Sequence, residues 1–246
     1  MKRIFFLLIY LPIVIRAQNL APASGTITFE KTVNMYAIIE KQFDVVQNGY
    51  YGQAFDAYKK DHPRFRKLQS TLSFTGDKTF YQPLPDPVKQ GFFTDIFLAE
   101  QNNTVFTDLL SNTYSCQKNV YNEPFLVKDT VLNIQWKITG EMREIAGYNC
   151  RRANAIILDS IYVVAFYADQ ISVSGGPEFF NGLPGMILGV ALPHDNVTWF
   201  ATSVSFGPAT ITPRQKGKVV SAKELKTTLQ NTIALKDKYW WWSLIQ

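Results

Sequence analysis

Tyr148-Asn-Cys-Arg-Arg-Ala-Asn-Ala-Ile-Ile-Leu158, the pair Asp159-Ser160, and Ile161-Tyr-Val-Val-Ala-Phe-Tyr-Ala168 form the stretch on which the fold turns. Both long runs are rich in β-branched and aromatic residues, and two residues separate them. A two-residue link can close a hairpin but cannot provide the crossover that parallel pairing demands. The stretch therefore predicts two antiparallel strands. Immediately upstream, Asn133 to Ile145 has the same texture and meets Tyr148 across the turn Ala146-Gly147. Ser70 to Gln82, with the turn Thr75-Gly76-Asp77 inside it, and Thr104 to Leu110 extend the pattern toward the N-terminus. Short β-rich runs joined by short turns predict an antiparallel meander.

Gly25 to Val33 alternates in period two and reads as the first strand. Tyr36, Ile39, Phe43, Val46 and Tyr50 then recur in steps of three and four, which predicts one helix ended by Gly49 and Gly52. Phe55 to Leu68 fits a second helix broken around Pro63. Pro83-Leu-Pro-Asp-Pro87 predicts an extended loop, because proline removes ladder donors. Near the end, Ser221 stands three residues before Glu224, the capping-box spacing, so a helix is expected over residues 222–234. Tyr239-Trp-Trp-Trp242 follows, with Trp240, Trp241 and Trp242 read as packing on the sheet, or as an exposed stripe contacting a partner.

Lys2 and Arg3, the apolar run Ile4 to Ile15 and Ala17 follow the order of a signal peptide, which predicts export with cleavage after Ala17. The apolar run contains Pro12 and falls short of the roughly 20 residues a spanning helix needs, so no stable membrane insertion is expected after cleavage. Residues 18–246 read as a single domain. Without Lys2, Arg3 and Arg16 the chain has 22 basic against 20 acidic residues, a net charge of +2. Such a small excess, without long basic clusters, argues against nucleic acid as a partner. Cys116 and Cys150 are the only cysteines. In an oxidising compartment they can bridge, closing a loop of about 33 residues for roughly 3 to 4 kcal/mol, or remain buried thiols.

The densest punctuation is Ser174-Gly-Gly-Pro177 and Gly182-Leu-Pro-Gly-Met-Ile-Leu188. Glycines that accept positive φ beside prolines of fixed φ predict two sharp corners, after which Met186, Ile187 and Leu188 enter the core as a strand. The hexapeptide Gly182-Leu-Pro-Gly-Met-Ile187 resembles the signature of the GLPGLI family, with Met186 in place of a leucine. The resemblance continues through Trp136-Lys-Ile138, Ile145-Ala-Gly-Tyr-Asn-Cys150, Arg152-Ala153, Phe166-Tyr-Ala-Asp-Gln-Ile171 and Gly176-Pro177, then Pro213, Lys216, Lys218 and Ser221. The family often has Trp where Phe166 stands and Lys where Arg152 stands. The resemblance implies an exported protein of the Bacteroidota type without an assigned activity, in some cases associated with outer-membrane receptor systems, and it carries over no catalytic residues.

The fold class expected is mainly β (α+β): a curved antiparallel sheet with one or two helices, by analogy with periplasmic lipoprotein carriers. His62 and His194 are the only histidines, and neither sits near a nucleophile elbow. His194-Asp195 between Pro193 and Asn196 reads as a turn, and no second His or Cys nearby completes a metal shell. The carboxylates Glu141, Asp169 and Glu178 are scattered, and no phosphate-cradling glycine loop occurs. No cofactor or metal is expected. The expected function is a non-catalytic binding or assembly protein in the periplasm or at the outer-membrane surface, engaging a hydrophobic ligand or an outer-membrane partner. Tyr167, Phe179, Phe180, Leu183 and Met186 are the candidate ligand-lining residues. The rival expectation is an exported hydrolase of peptides or glycans using His194 and Asp195.

Overall fold

The computed structural model describes residues 24–86, 92–93, 96, 99–100, 103–120, 123–158, 160–213 and 215–232. The expected leader, the Trp240–Trp242 tail, Pro87, Asp159 and residues 233–234 lie outside them. Strand β1 (Ser24–Asn34) shows strict alternation, with Gly25, Ile27, Phe29, Lys31 and Val33 turned inward. The side chain of Asn34 accepts a hydrogen bond from Ala37 N and starts helix α1 (Met35–Gln42).

The single helix expected to run from Tyr36 to Tyr50 is instead two. α1 stops at the extended residue Phe43, and Asn48 caps a new helix, α2 (Gly49–Asp61), by accepting from Tyr50 N and Tyr51 N. Asn48-Gly49 is thus a helix start, because the asparagine carbonyl satisfies two otherwise free amides. The periodic Val46 falls in the link, with its side chain in solvent. α2 ends at His62, before Pro63, and the expected helical stretch up to Leu68 becomes the opening of strand β2 (Phe65–Thr75).

β2 turns through Gly76-Asp77 into β3 (Lys78–Pro83), which is followed by β4 (Asn103–Asp108), β5 (Thr113–Val120) and β6 (Glu123–Thr130). The deciding stretch forms β7 (Lys137–Ile145), β8 (Tyr148–Ile157) and β9 (Ile161–Ala168), and the corner motif leads into β10 (Met186–Leu192). β11 (Val197–Phe206), β12 (Lys218–Val220) and α3 (Ala222–Thr232) complete the described chain. Ser221 and Glu224 cap α3 reciprocally: Ser221 N donates to Glu224 Oε2 at 2.7 Å and Glu224 N to Ser221 Oγ at 3.2 Å. Among the described residues the strands form one sheet of twelve, ordered β12-β6-β5-β4-β3-β2-β1-β11-β10-β9-β8-β7. Every pairing is antiparallel except that of β12 with β6.

This sheet cannot be flat. β7 and β11 are four strand spacings apart, about 19 Å at roughly 4.8 Å per spacing, which no side chain spans. Yet the Arg143 guanidinium on β7 lies 4.5 Å from the Phe200 ring on β11 and 5.6 Å from Phe166 on β9. The end of the sheet rolls back over β9–β11, and Gly189 makes room: a Cβ there would meet the Phe200 ring at 2.7 Å. On the other face, the segment between β9 and β10 crosses to β4 and β5, where Glu178 meets Asn103 and Phe179 meets Tyr114. Sheet, crossing segment and helices enclose one apolar core that includes Ile38, Ile39, Phe55 and Phe93.

Candidate functional site

Each of five neighbouring strands places at least one polar residue on the buried face, the most deeply buried being Lys31 on β1, Ser70 on β2, Tyr81 on β3, Asn103 on β4 and Lys118 on β5. None is more than 2% exposed. The registers hold them in adjacent rows. Ser70 stands opposite Phe29, Tyr81 opposite Leu72 and Val105, and Asn103 directly opposite Lys118. Across the β1–β11 pair Lys31 faces Trp199, with its ammonium 5.0 Å from the ring centroid, a cation–π contact. Lys31 Nζ also donates to the Glu100 carbonyl at 2.6 Å.

Glu178 closes this set from above. Its carboxylate is buried and accepts from Asn103 Nδ2 at 3.0 Å. The corner motif holds it there. Ser174 Oγ donates to Leu183 O at 2.6 Å, Ile187 N to Gly175 O at 2.8 Å, and the Trp136 indole to Asn181 O at 2.8 Å. Gly176 is required, because a Cβ would come within 2.6 Å of Phe180 O, and Gly185 has φ +150° with Ala168 O only 2.3 Å from a hypothetical Cβ. Glu178 itself adopts φ +52°, a left-handed conformation that a non-glycine residue keeps only when its surroundings enforce it.

Burial dominates the electrostatics. Lys31 and Lys118 are each lowered to about 8, chiefly by desolvation, which Glu178 opposes. Desolvation raises Glu178 against the pull of Lys31 and Lys118. The Tyr81 hydroxyl rises well above its ordinary value for the same reason, and the Cys116 thiol next along the face is pushed up to about 12. Ser70 Oγ, Tyr81 OH and Trp199 Nε1 lie buried beside one another, with the Tyr81 hydroxyl facing Ser70, Trp199 and the Glu178 carboxylate. The buried face thus gathers two ammonium groups, one carboxylate and a run of hydroxyl and indole groups into one polar network.

Residues 157–189 match a family described only as a protein of unknown function, Porph_ging. The matched span runs from the end of β8 through β9 and the Glu178 loop to Gly189 of β10. No curated protein matches the chain. Two solved structures of PNGF-II, in space groups C2 and P21, are similar in fold. Identities are 15% and 16% and TM-scores 0.54 and 0.53, over 85% of this chain. This chain spans about a third of theirs, 33% and 34%. At such identity the likeness concerns the fold alone.

The candidate lining residues all lie in the Porph_ging segment, and they fill the interior. Tyr167, Phe180, Leu183 and Met186 are buried in the core, while Phe179 is half-buried against Tyr114, with ring centroids 5.0 Å apart. They pack the crossing segment onto the sheet. Of the motif residues Gly176, Pro177, Gly182, Leu183, Pro184, Gly185, Met186 and Ile187, Gly182 and Gly185 take the positive φ expected of them, whereas at the first corner Gly176 does not and Glu178, after Pro177, turns left-handed in its place. Outside the Porph_ging segment, Cys116 on β5 and Cys150 on β8 are buried free thiols on strands that do not pair with each other, so no bridge joins them.

His194 and Asp195 form a 3-10 turn between β10 and β11, closed by Asn196 at φ +59°. Lys41 on α1 donates to His194 O at 2.8 Å and ion-pairs with Asp195 at 3.5 Å, which ties the helix to the hairpin. Burial raises the Asp195 carboxyl, opposed by Lys41. Of the three scattered carboxylates, Glu178 is inside the protein, Glu141 ion-pairs with Arg152 on the β7–β8 hairpin at 2.5 Å, and Asp169 is exposed. Among the described residues no three His, Cys, Asp or Glu side chains converge as metal ligands. The lysines went unrecognised as site residues, although Lys31 occupies the inward phase of Ile27, Phe29 and Val33, a visible sign that a charge points into the core.

Proposed function

We propose that this chain is an exported, non-catalytic binding or assembly protein of the GLPGLI type, and that it engages a protein partner of the cell envelope through an outer aromatic surface. The family reading rests on the hexapeptide Gly182–Ile187 and its spaced companions, and the Porph_ging match covers that hexapeptide. One observation carries the partner reading. Tyr50 and Phe92 are 65% and 55% exposed, and their rings meet edge to face at 5.5 Å. Beneath them Tyr51, Phe43 and Phe93 continue the contacts at 5.2 and 5.1 Å, so the exposed rings are buttressed by the core. Rigid, supported aromatics lose little conformational freedom on binding, and a partner that covers them removes a large apolar area from water.

Enclosure of a hydrophobic ligand has less support, because the apolar residues on the inward face are in contact with one another. Hydrolysis through His194 has less still, since Lys41 holds that turn in a structural role. A photo-crosslinking residue placed at Tyr50 in intact cells tests the proposal. The expected result is one dominant protein adduct that disappears with Phe92→Ser while the fold is retained. A smear of weak adducts, or an adduct indifferent to Phe92→Ser, overturns it.

A further inference from the structure

Asn-Gly occurs twice in the chain, at Asn48-Gly49 and at Asn181-Gly182. We infer that Asn48-Gly49 is a spontaneous modification site of the folded protein, its side-chain amide passing to a carboxylate, whereas the corner motif protects Asn181-Gly182. In such a pair the glycine backbone nitrogen, which no Cβ crowds, attacks the asparagine Cγ. A new C–N bond closes a cyclic imide, the bond from Cγ to the side-chain nitrogen breaks, and that nitrogen leaves as ammonia with the proton the glycine N–H gave up. Water, the only co-reactant, then opens the imide at either carbonyl. The product is aspartate, or its isomer in which the main chain runs through Cγ.

Three features open this path at Asn48. Gly49 is the first residue of α2, where a helix leaves N–H groups unbonded, and its N–H has no acceptor among the described residues, so ring closure breaks no hydrogen bond. Asn48 and Gly49 are exposed, and a Cβ on Gly49 would meet nothing within 4 Å, which leaves room for water and for the departing ammonia. Asn48 Oδ1 accepts from Tyr50 N at 3.1 Å and Tyr51 N at 3.5 Å, and these donors stabilise the negative charge that this oxygen gains when the nitrogen attacks. At the second pair the nucleophile and the leaving group are both engaged. Gly182 N donates to Ser174 O at 3.3 Å and Asn181 Nδ2 donates to Phe179 O at 2.7 Å, so attack there must first break two hydrogen bonds of the corner. Aspartate at position 48 still caps α2, since its carboxylate accepts the same amides at the positive end of the helix. The conversion runs one way, so the converted share of the chain grows with its age, whether or not the aromatic surface has a partner.

The full chain, held folded in mildly alkaline buffer, is sampled over days by peptide mass spectrometry, and a second series is kept in urea. The expected result is a gain of about one mass unit at Asn48, from NH2 exchanged for OH, at least about tenfold faster than at Asn181 in the folded protein, with the two rates converging in urea. Gly49→Ala fits the open space and suits a helix start, so that variant folds, and its Cβ beside the attacking nitrogen slows the gain at Asn48 at least about tenfold. No gain at Asn48, equal rates at the two sites in the folded protein, a difference that persists in urea, or an unchanged rate in Gly49→Ala overturns the proposal.

Discussion

β9 and β10 differ from β1–β5 although all lie in one sheet. In β9 seven of eight residues are buried, and β10 is buried at all but Ala191, so both faces of these strands meet apolar neighbours. β1–β5 bury one face only, and each interrupts that face with a polar side chain. The two halves are specified by different physics. The first is held by packing volume, where any apolar residue of the right shape suffices. The second is held partly by polar groups, which stabilise only when each is matched and destabilise strongly when one partner is removed.

The sharpest break of the apolar half is Gly185→Val. Its side chain would meet Ala168 O, in a backbone conformation that β-branched residues avoid, so the corner that launches β10 cannot close. A loss of about 4 kcal/mol is expected in urea unfolding. A loss below about 1 kcal/mol would mean that the corner can rearrange and is not what positions the strand.

The corresponding break of the polar half is Glu178→Ala, which leaves Lys31 and Lys118 buried without their carboxylate and Asn103 Nδ2 without its acceptor. The expected loss is about 3 kcal/mol. Because the lysines lose the group that holds their charge, Glu178→Ala should also lower their titration further. Equal stability of mutant and parent would show that the three charges do not sense one another.

Legibility in the sequence does not follow this division. β1, the β2–β3 hairpin and β7 to β9 follow from alternation and turn residues, and their observed ends lie within a few residues of those expected. β5 and β6 were missed because Thr113–Val120 and Glu123–Thr130 carry Gln117, Lys118, Asn119 and Pro124, residues that dilute a strand signature. Lys118 points inward, so its strand reads as irregular when in fact it alternates. The pairing of β1 with β11, nearly two hundred residues apart, leaves no local trace. The corner motif was recognised as architecture. That its product is a buried carboxylate depends on where β4 and β5 lie, which only the assembled sheet decides.

A subtler comparison uses pH. Lys31 titrates near 8 in the folded chain and near 10.5 when unfolded, so between these values the unfolded chain binds more protons. Stability from this group therefore rises with pH across that window, and below pH 8 the full disadvantage of burying the charge remains. The thiols and phenols act oppositely. Cys116, Cys150 and Tyr81 titrate higher folded than unfolded, so they remove stability from about pH 9 upward. Comparing the parent with Lys31→Met at each pH cancels these common terms. The parent should gain on the variant by up to about 3 kcal/mol between pH 8 and 10.5, from about 1.4 kcal/mol per pKa unit. A constant difference across the window would place the Lys31 charge in contact with water.

The smallest effect concerns reactivity at the two buried cysteines, Cys116 on β5 and Cys150 on β8. Desolvation pushes Cys116 up to about 12 and Cys150 to about 11, and only the thiolate attacks an alkylating agent. Both should react with iodoacetamide at pH 8 at least about a hundredfold more slowly in the native protein than in denaturant, with Cys116, whose thiol is pushed higher, the slower. Cys150 rises less, partly because it gains a backbone hydrogen bond from Ile145. Mass spectrometry of the protein after exposure to an oxidant gives the second reading. Strands β5 and β8 do not pair, so the mass should show two free thiols; a loss of two mass units would require the two halves of the sheet to meet in a way this packing does not allow.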